Sequence, residues 1–215
     1  MMNVVIINYG SGNLRSAAKA IERTALNLKK ETRVHVTKDP GIVLKADRLV
    51  LPGVGAFASC LRGLSTIKGL SEAIEETTIQ KARPFLGICV GMQLMATNSL
   101  EHGNHPGFNW IPGQVESINT SGDTLKTPHM GWNEIMFSNN SHPLLDKLPI
   151  SPHFYFVHSY SFRPDLDESI LATTDYGSQL TAIVQKQNVV GTQFHPEKSQ
   201  LNGFIFLENF LEWQP

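Results

Sequence analysis

The chain has 215 residues, 41% of them hydrophobic, and its 18 basic and 19 acidic side chains leave a formal charge of -1. That size and apolar content suit one core and a single domain over residues 1–215, while the even charge balance argues against nucleic acid or an anionic membrane as partner. No apolar run nears the roughly 20 residues that span a bilayer, Met1 opens without the marks of a secretory signal, and two cysteines without CxxC spacing imply neither disulfide framework nor zinc, so a mature chain starting at Met1 in a reducing cytoplasm is expected, with no metal or cofactor.

Val4 to Ile7 is a β-branched run closed by Asn8-Tyr9-Gly10-Ser11-Gly12, which predicts a buried strand and a turn. Leu14, Ala18, Ile21, Ala25 and Leu28 recur at helical spacing, so residues 13–30 should form a helix with one apolar face. Further strands are expected at 33–36, 48–51 and 84–88, with helices near 56–64 and 70–82. This alternation predicts an α/β fold with a mostly parallel central sheet flanked by helices. Beyond residue 112 short strand candidates dominate, at 114–118, 153–157, 160–163, 170–174, 182–185 and 189–194, and a helix over 201–213 closes the chain. Ligands in such folds collect beyond the carboxyl ends of the strands, which directs attention to the loops at 52–56 and 89–91.

The first of these loops, in Leu51-Pro52-Gly53-Val54-Gly55-Ala56, carries no charge and can aim backbone N–H groups at a developing oxyanion, with Val54 and Gly55 as candidate donors. The same residues also suit an ordinary tight turn. Phe85-Leu86-Gly87-Ile88-Cys89-Val90-Gly91 runs a strand into Gly-x-Cys-x-Gly and then a helix, the pattern of a nucleophile elbow with sulfur as nucleophile and the Val90 N–H as a further oxyanion donor. The two glycines are expected to permit the sharp turn, and the helix N-terminus to favour the thiolate. A buried structural cysteine is the competing reading; Cys60, which lacks flanking glycines, is assigned to packing.

Val189 to Phe194 predicts a strand delivering His195-Pro196-Glu197 at its tip, where the histidine can act as general acid and base and the carboxylate can fix its tautomer. The other seven of the eight histidines are read as surface or structural residues.

Together LPGVGAF, FLGICVGMQ and TQFHPEKS resemble the class I, triad-type glutamine amidotransferases across nearly the whole chain. The segments NYGSGNL, WIPGQV, PHMGWN and FVHSYSF narrow the likeness to the glutaminase subunits of imidazole glycerol phosphate synthases. The resemblance implies a glutamyl thioester on Cys89, His195 as acid and base, and Glu197 as its orienter. It also implies glutamine held by Gln93, Glu101 and the backbone of Ser159 and Tyr160, and ammonia delivered to a separate (β/α)8-barrel cyclase subunit in a heterodimer. Asn13, His129, Met130 and Trp132 are expected at that partner's surface, Trp132 as an aromatic anchor in a glycine-flanked turn. The loop at 102–109 departs slightly from the pattern. Rival readings are another triad amidotransferase, a cysteine hydrolase of γ-glutamyl peptides, and a catalytically dead subunit that stabilises a partner.

Overall fold

The chain alternates strand and helix through its first half. In the computed structural model, which describes residues 1–119, 125–138 and 141–215, these elements are β1 (Met2–Ile7), α1 (Leu14–Asn27), β2 (Thr32–Thr37), α2 (Pro40–Val43), β3 (Arg48–Gly53), α3 (Phe57–Ser65), α4 (Leu70–Glu75), β4 (Phe85–Cys89) and α5 (Val90–Gln93). The second half is strand-rich: β5 (Asn98–Ser99), β6 (His105–Pro106), β7 (Gly113–Ser117), β8 (His129–Glu134), β9 (Met136–Phe137), β10 (His153–His158), β11 (Tyr160–Pro164), β12 (Ile170–Asp175), β13 (Gln179–Lys186) and β14 (Val189–Thr192), then α6 (Gln200–Glu212).

An eight-stranded sheet, ordered β2-β1-β3-β4-β14-β13-β12-β9, forms the centre. From β2 to β14 neighbours run parallel, and from β14 to β9 they run antiparallel. The parallel strands β3 and β4 are buried at every position, as expected where helices cover both faces. Helix α1 packs against α6, and α3 against α4 and α5. Phe154, Phe194 and Phe206 form an aromatic chain in the core, the first pair stacked at 3.9 Å, and full burial of each contributes about 2–3 kcal/mol. Buried Arg48 donates to the carbonyls of Leu211 and Trp213, tying β3 to the end of α6 and satisfying acceptors that a helix C-terminus leaves open.

Several elements differ from the sequence expectation for local reasons. The helix expected over 70–82 is α-helical only to Glu75 and continues as a π-helical turn over Glu76–Gln80, where Thr77, Thr78 and Ile79 crowd an α-helical turn. Helix α2 was not anticipated, although Asp39 caps Gly41 N–H and Pro40 occupies the first turn, a legible start signal. Residues 113–117 and 160–164 lie outside the main sheet, in a four-stranded sheet ordered β11-β7-β5-β6. The PHMGWN segment is a strand, β8, paired antiparallel with β10, so Trp132 does not sit in a turn. Among the described residues no helix is long and apolar enough to cross a membrane.

The elbow glycines also serve a purpose other than the one expected. Gly87 and Gly91 keep negative φ, and the left-handed conformation falls on Cys89 itself, at φ 55°. A Cβ on Gly91 would overlap the Leu51 carbonyl, and one on Gly87 would lie 2.5 Å from Gly91 O. These positions are glycine because β3, β4 and α5 approach too closely for a side chain. Gly91→Ala is therefore expected to destabilise the fold by about 3 kcal/mol, since the obstacle is backbone that cannot step aside; chemical denaturation of the variant measures it.

Candidate active site

Strand register brings the three motif loops together. Gly53 pairs with Cys89 across β3 and β4, and Ile88 pairs with Thr192 across β4 and β14. The loops leaving β3, β4 and β14 thus emerge side by side at one edge. Cys89, the left-handed residue between β4 and α5, and His195, three residues beyond β14, line a single cavity of about 370 Å³. The volume is in the range of small-molecule sites. A wider cleft of about 890 Å³ lies elsewhere, along Glu116, Arg163 and Asp167, and is lined by none of the candidate site residues.

His195 is 1% exposed, and its Nδ1 lies 2.9 Å from Glu197 Oε1, with both side chains buried. The ring's backbone is anchored as well: His195 N–H donates to Tyr155 O, and its carbonyl accepts from Ser199 Oγ, which in turn accepts from Tyr155 N–H. Among the described residues Nε2 has no hydrogen-bond partner. Burial disfavours the imidazolium, but Cys89 and Glu197 outweigh burial and push the His195 pKa up to about 9. An imidazole so placed can hold a proton received from the neighbouring sulfur.

A second set of groups surrounds the thiol. Gln193, fully buried, donates from Nε2 to Cys89 Sγ at 3.6 Å. Gln93 donates from Nε2 to Tyr160 O at 3.0 Å and to Gln193 Oε1 at 3.1 Å. Both N–H groups of Gln93 are thereby used, leaving its Oε1 as the group able to accept from a ligand. Glu101 lies on the rim and accepts the Phe57 N–H at 2.6 Å, which also fixes the start of α3. The carbonyl of Tyr160 is shared by Gln93 and His158, so a backbone contact from that residue to a ligand has to come from its N–H. Ser159 lines the same wall.

Known proteins resemble this chain in sequence and in fold. The family described as glutamine amidotransferase class-I matches residues 5–212. A protein of Rhodospirillum rubrum named imidazole glycerol phosphate synthase subunit HisH is 55% identical over the full length of both chains. The chain belongs to the class-I glutamine amidotransferases. A HisH subunit of Rhodopseudomonas palustris is 52% identical, again over the whole of both chains. Among solved structures, that of PurLQS from Thermotoga maritima superposes with a TM-score of 0.70 at 19% identity, covering 98% of each chain, a likeness of fold alone.

Within this amidotransferase one expected donor meets a competing contact and one expected surface residue needs correction. The Val54 N–H, a candidate oxyanion donor, is engaged by Ser11 Oγ at 3.1 Å, while the Val54 carbonyl accepts from the same hydroxyl at 2.6 Å and faces Cys60 Sγ at 3.4 Å. Val54 lines the cavity, with its N–H held by the neighbouring loop. Gly55, at φ 85° with open space around its Cβ direction, and Val90 line the cavity beside Cys89. His129, expected at a partner surface, is 2% exposed. The alternation of β8 turns its side chain inward and sends Met130 and Trp132, 65% and 47% exposed, outward. Asn13 is partly exposed just before α1.

The sequence reading of the amidotransferase missed Gln193, His158, Ser11 and Ser199. For Gln193 a signal existed: two residues before His195 on an extended segment, it projects from the same face. Ser11, 43 residues from Val54, had none.

Proposed function

We propose that residues 1–215 work as one domain, the glutaminase subunit of an imidazole glycerol phosphate synthase, in a reducing cytoplasm. The observation that carries the reading is the convergence in one cavity of Cys89, the Gly55 loop and His195, whose ring is held from behind by Glu197. The names of the full-length relatives supply the pathway.

In this reading Cys89 Sγ attacks the carboxamide carbon of glutamine and its proton passes to His195 Nε2. The C–N bond breaks as that proton moves to the leaving nitrogen, releasing ammonia and a γ-glutamyl thioester. Water, deprotonated by His195, then attacks the thioester carbon, the C–S bond breaks and glutamate departs. Glu197 holds Nδ1–H so that Nε2 faces the sulfur. Val90 N–H and a peptide of the Val54–Gly55 loop stabilise the tetrahedral oxyanion. Gln93, Glu101, Ser159 and Tyr160 hold the substrate. Ammonia passes to a (β/α)8-barrel cyclase, which makes imidazole glycerol phosphate and aminoimidazole carboxamide ribotide. The outer face of β8 and β10, where Trp132 packs edge-on against Tyr155 at 6.2 Å beside exposed Met130, is the apolar anchor for that partner, and Asn13, ahead of α1, is a further contact.

The Ser11 clasp on Val54 implies a chain at rest until its partner binds. Removing one oxyanion donor costs about 10²–10³-fold in kcat, so a glutaminase assay is expected to show a rise of that order when the cyclase and its nucleotide ligand are added. Equal rates with and without them would refute the resting state. A partner other than the cyclase giving the activation would refute the pathway.

A further inference from the structure

We propose that Asn133, His129 and His158 form a directional hydrogen-bond relay that positions the Tyr160 carbonyl, and through it the Gln93 and Gln193 amides, beside Cys89. The proposal deepens the glutaminase reading and rests on it for its kinetic consequence, though not for its geometry.

The direction of each bond follows from the groups at the ends. Asn133 Oδ1 accepts from Glu134 N–H at 2.8 Å, and its Nδ2 donates to Asp175 O at 2.8 Å, which fixes the amide orientation. The same Nδ2 lies 3.2 Å from His129 Nε2, so that ring nitrogen is a bare acceptor and the ring proton resides on Nδ1. His129 Nδ1 lies 2.9 Å from His158 Nε2, which must therefore accept, leaving His158 Nδ1–H to donate to Tyr160 O at 2.9 Å. A backbone carbonyl can only accept, so the chain read from this end gives the same two tautomers. Tyr160 O takes its second bond from Gln93, Gln93 donates to Gln193, and Gln193 donates to the nucleophile's sulfur.

Among the described residues no other hydrogen bond reaches either ring. His129 is stacked between Phe156, at 4.7 Å, and Tyr176, at 4.1 Å, contacts that fix the plane of the ring but not its proton. His158 lines the cavity itself. Burial lowers both pKa values, to about 4 for His129 and about 3 for His158, which keeps both rings neutral in the form the relay needs. The relay starts on β8, the strand whose opposite face carries Met130 and Trp132. His129 and His158 are positioning residues: they act on glutamine through Tyr160 and Gln93 without joining the chemistry.

Two measurements test this. Nitrogen-15 NMR of histidine-labelled chain at neutral pH is expected to show His129 and His158 neutral and protonated on Nδ1, the less common tautomer in solution; an Nε2 proton on either ring overturns the relay. This readout stands whether or not the chain hydrolyses glutamine, so its failure and that of the glutaminase reading are separable. The second is kinetic, on the chain assembled with the cyclase. His129→Phe keeps the aromatic stack but removes the donor, leaving His158 Nε2 unsatisfied. It is expected to raise KM for glutamine roughly tenfold with kcat changed less than about threefold. His129→Asn, which restores a donor near the Nδ1 position, is expected to recover most of that loss. Unchanged KM in the phenylalanine variant, or equal losses in both variants, overturns the positioning role; should His129→Phe fail to fold, the tautomers decide.

Discussion

Cys89→Ala is expected to lower glutamine hydrolysis by about four orders of magnitude or more, because it removes the one thiol lining the cavity among the described residues, the proposed site of the covalent intermediate. The side chain accepts from Gln193 Nε2 and makes a long contact to Val157 O at 4.0 Å, and it sits in an already left-handed backbone, so its truncation should shift the thermal midpoint by only a few degrees. Partner binding and ammonia-driven cyclisation by the partner should survive. The same variant carries a second readout. Since the sulfur is among the causes that hold His195 up at about 9, its removal takes away part of what opposes burial, and the imidazole's pKa should fall. Steady-state hydrolysis together with a histidine titration by NMR measures both. Appreciable hydrolysis in the variant would remove Cys89 as nucleophile.

Glu197→Gln should be nearly as damaging. A carboxylate accepts the Nδ1 proton across 2.9 Å, whereas an amide can donate to Nδ1 and stabilise the wrong tautomer, with the proton on the face that must receive one from sulfur. A loss of about 10³–10⁴-fold in kcat is the expected scale. The sign of the pH effect follows from the raised His195 pKa. The imidazolium persists to about 9 in the native site, so if it protonates the leaving nitrogen as proposed, the alkaline limb of the rate profile should lie near that value and move to lower pH when the carboxylate is gone. Linkage runs the same way for stability: a pKa above the unfolded value favours the native state below about pH 6.5, and that contribution is lost as pH rises through about 9. A limb that stays in place in the variant would show that Glu197 does not act on the imidazole.

The parallel half of the sheet was legible because β1, β3 and β4 are short apolar runs whose only satisfactory place is a doubly covered sheet, and because glycine and proline mark their ends. The positions of Cys89, His195 and Glu197 were legible for the same reason: strand tips in such a fold share one edge. What escaped depended on contacts distant in the chain. Gln114 and Tyr160 read as ordinary strand residues, and nothing local says that their strands form a separate sheet. The turn at Thr77–Ile79 reads as helix until the Asn188 side chain is seen donating to Thr78 O and Arg83 O. His129 looked like a surface residue because its neighbours Met130 and Trp132 are, and only the pleat of β8 against β10 separates them. The engagement of Val54 by Ser11 pairs two turns that each look self-sufficient.

The parallel pairing of β4 with β14 joins residues about a hundred positions apart, Leu86 with Val190 and Ile88 with Thr192. During translation, then, the emerging polypeptide carries Cys89 long before it carries His195. A ribosome-bound fragment ending anywhere before β14 exposes the edge of β4 and lacks the His195–Glu197 pair. The cavity is completed when the last strand slots between β4 and β13, and that late long-range closure is the slow event expected to limit maturation.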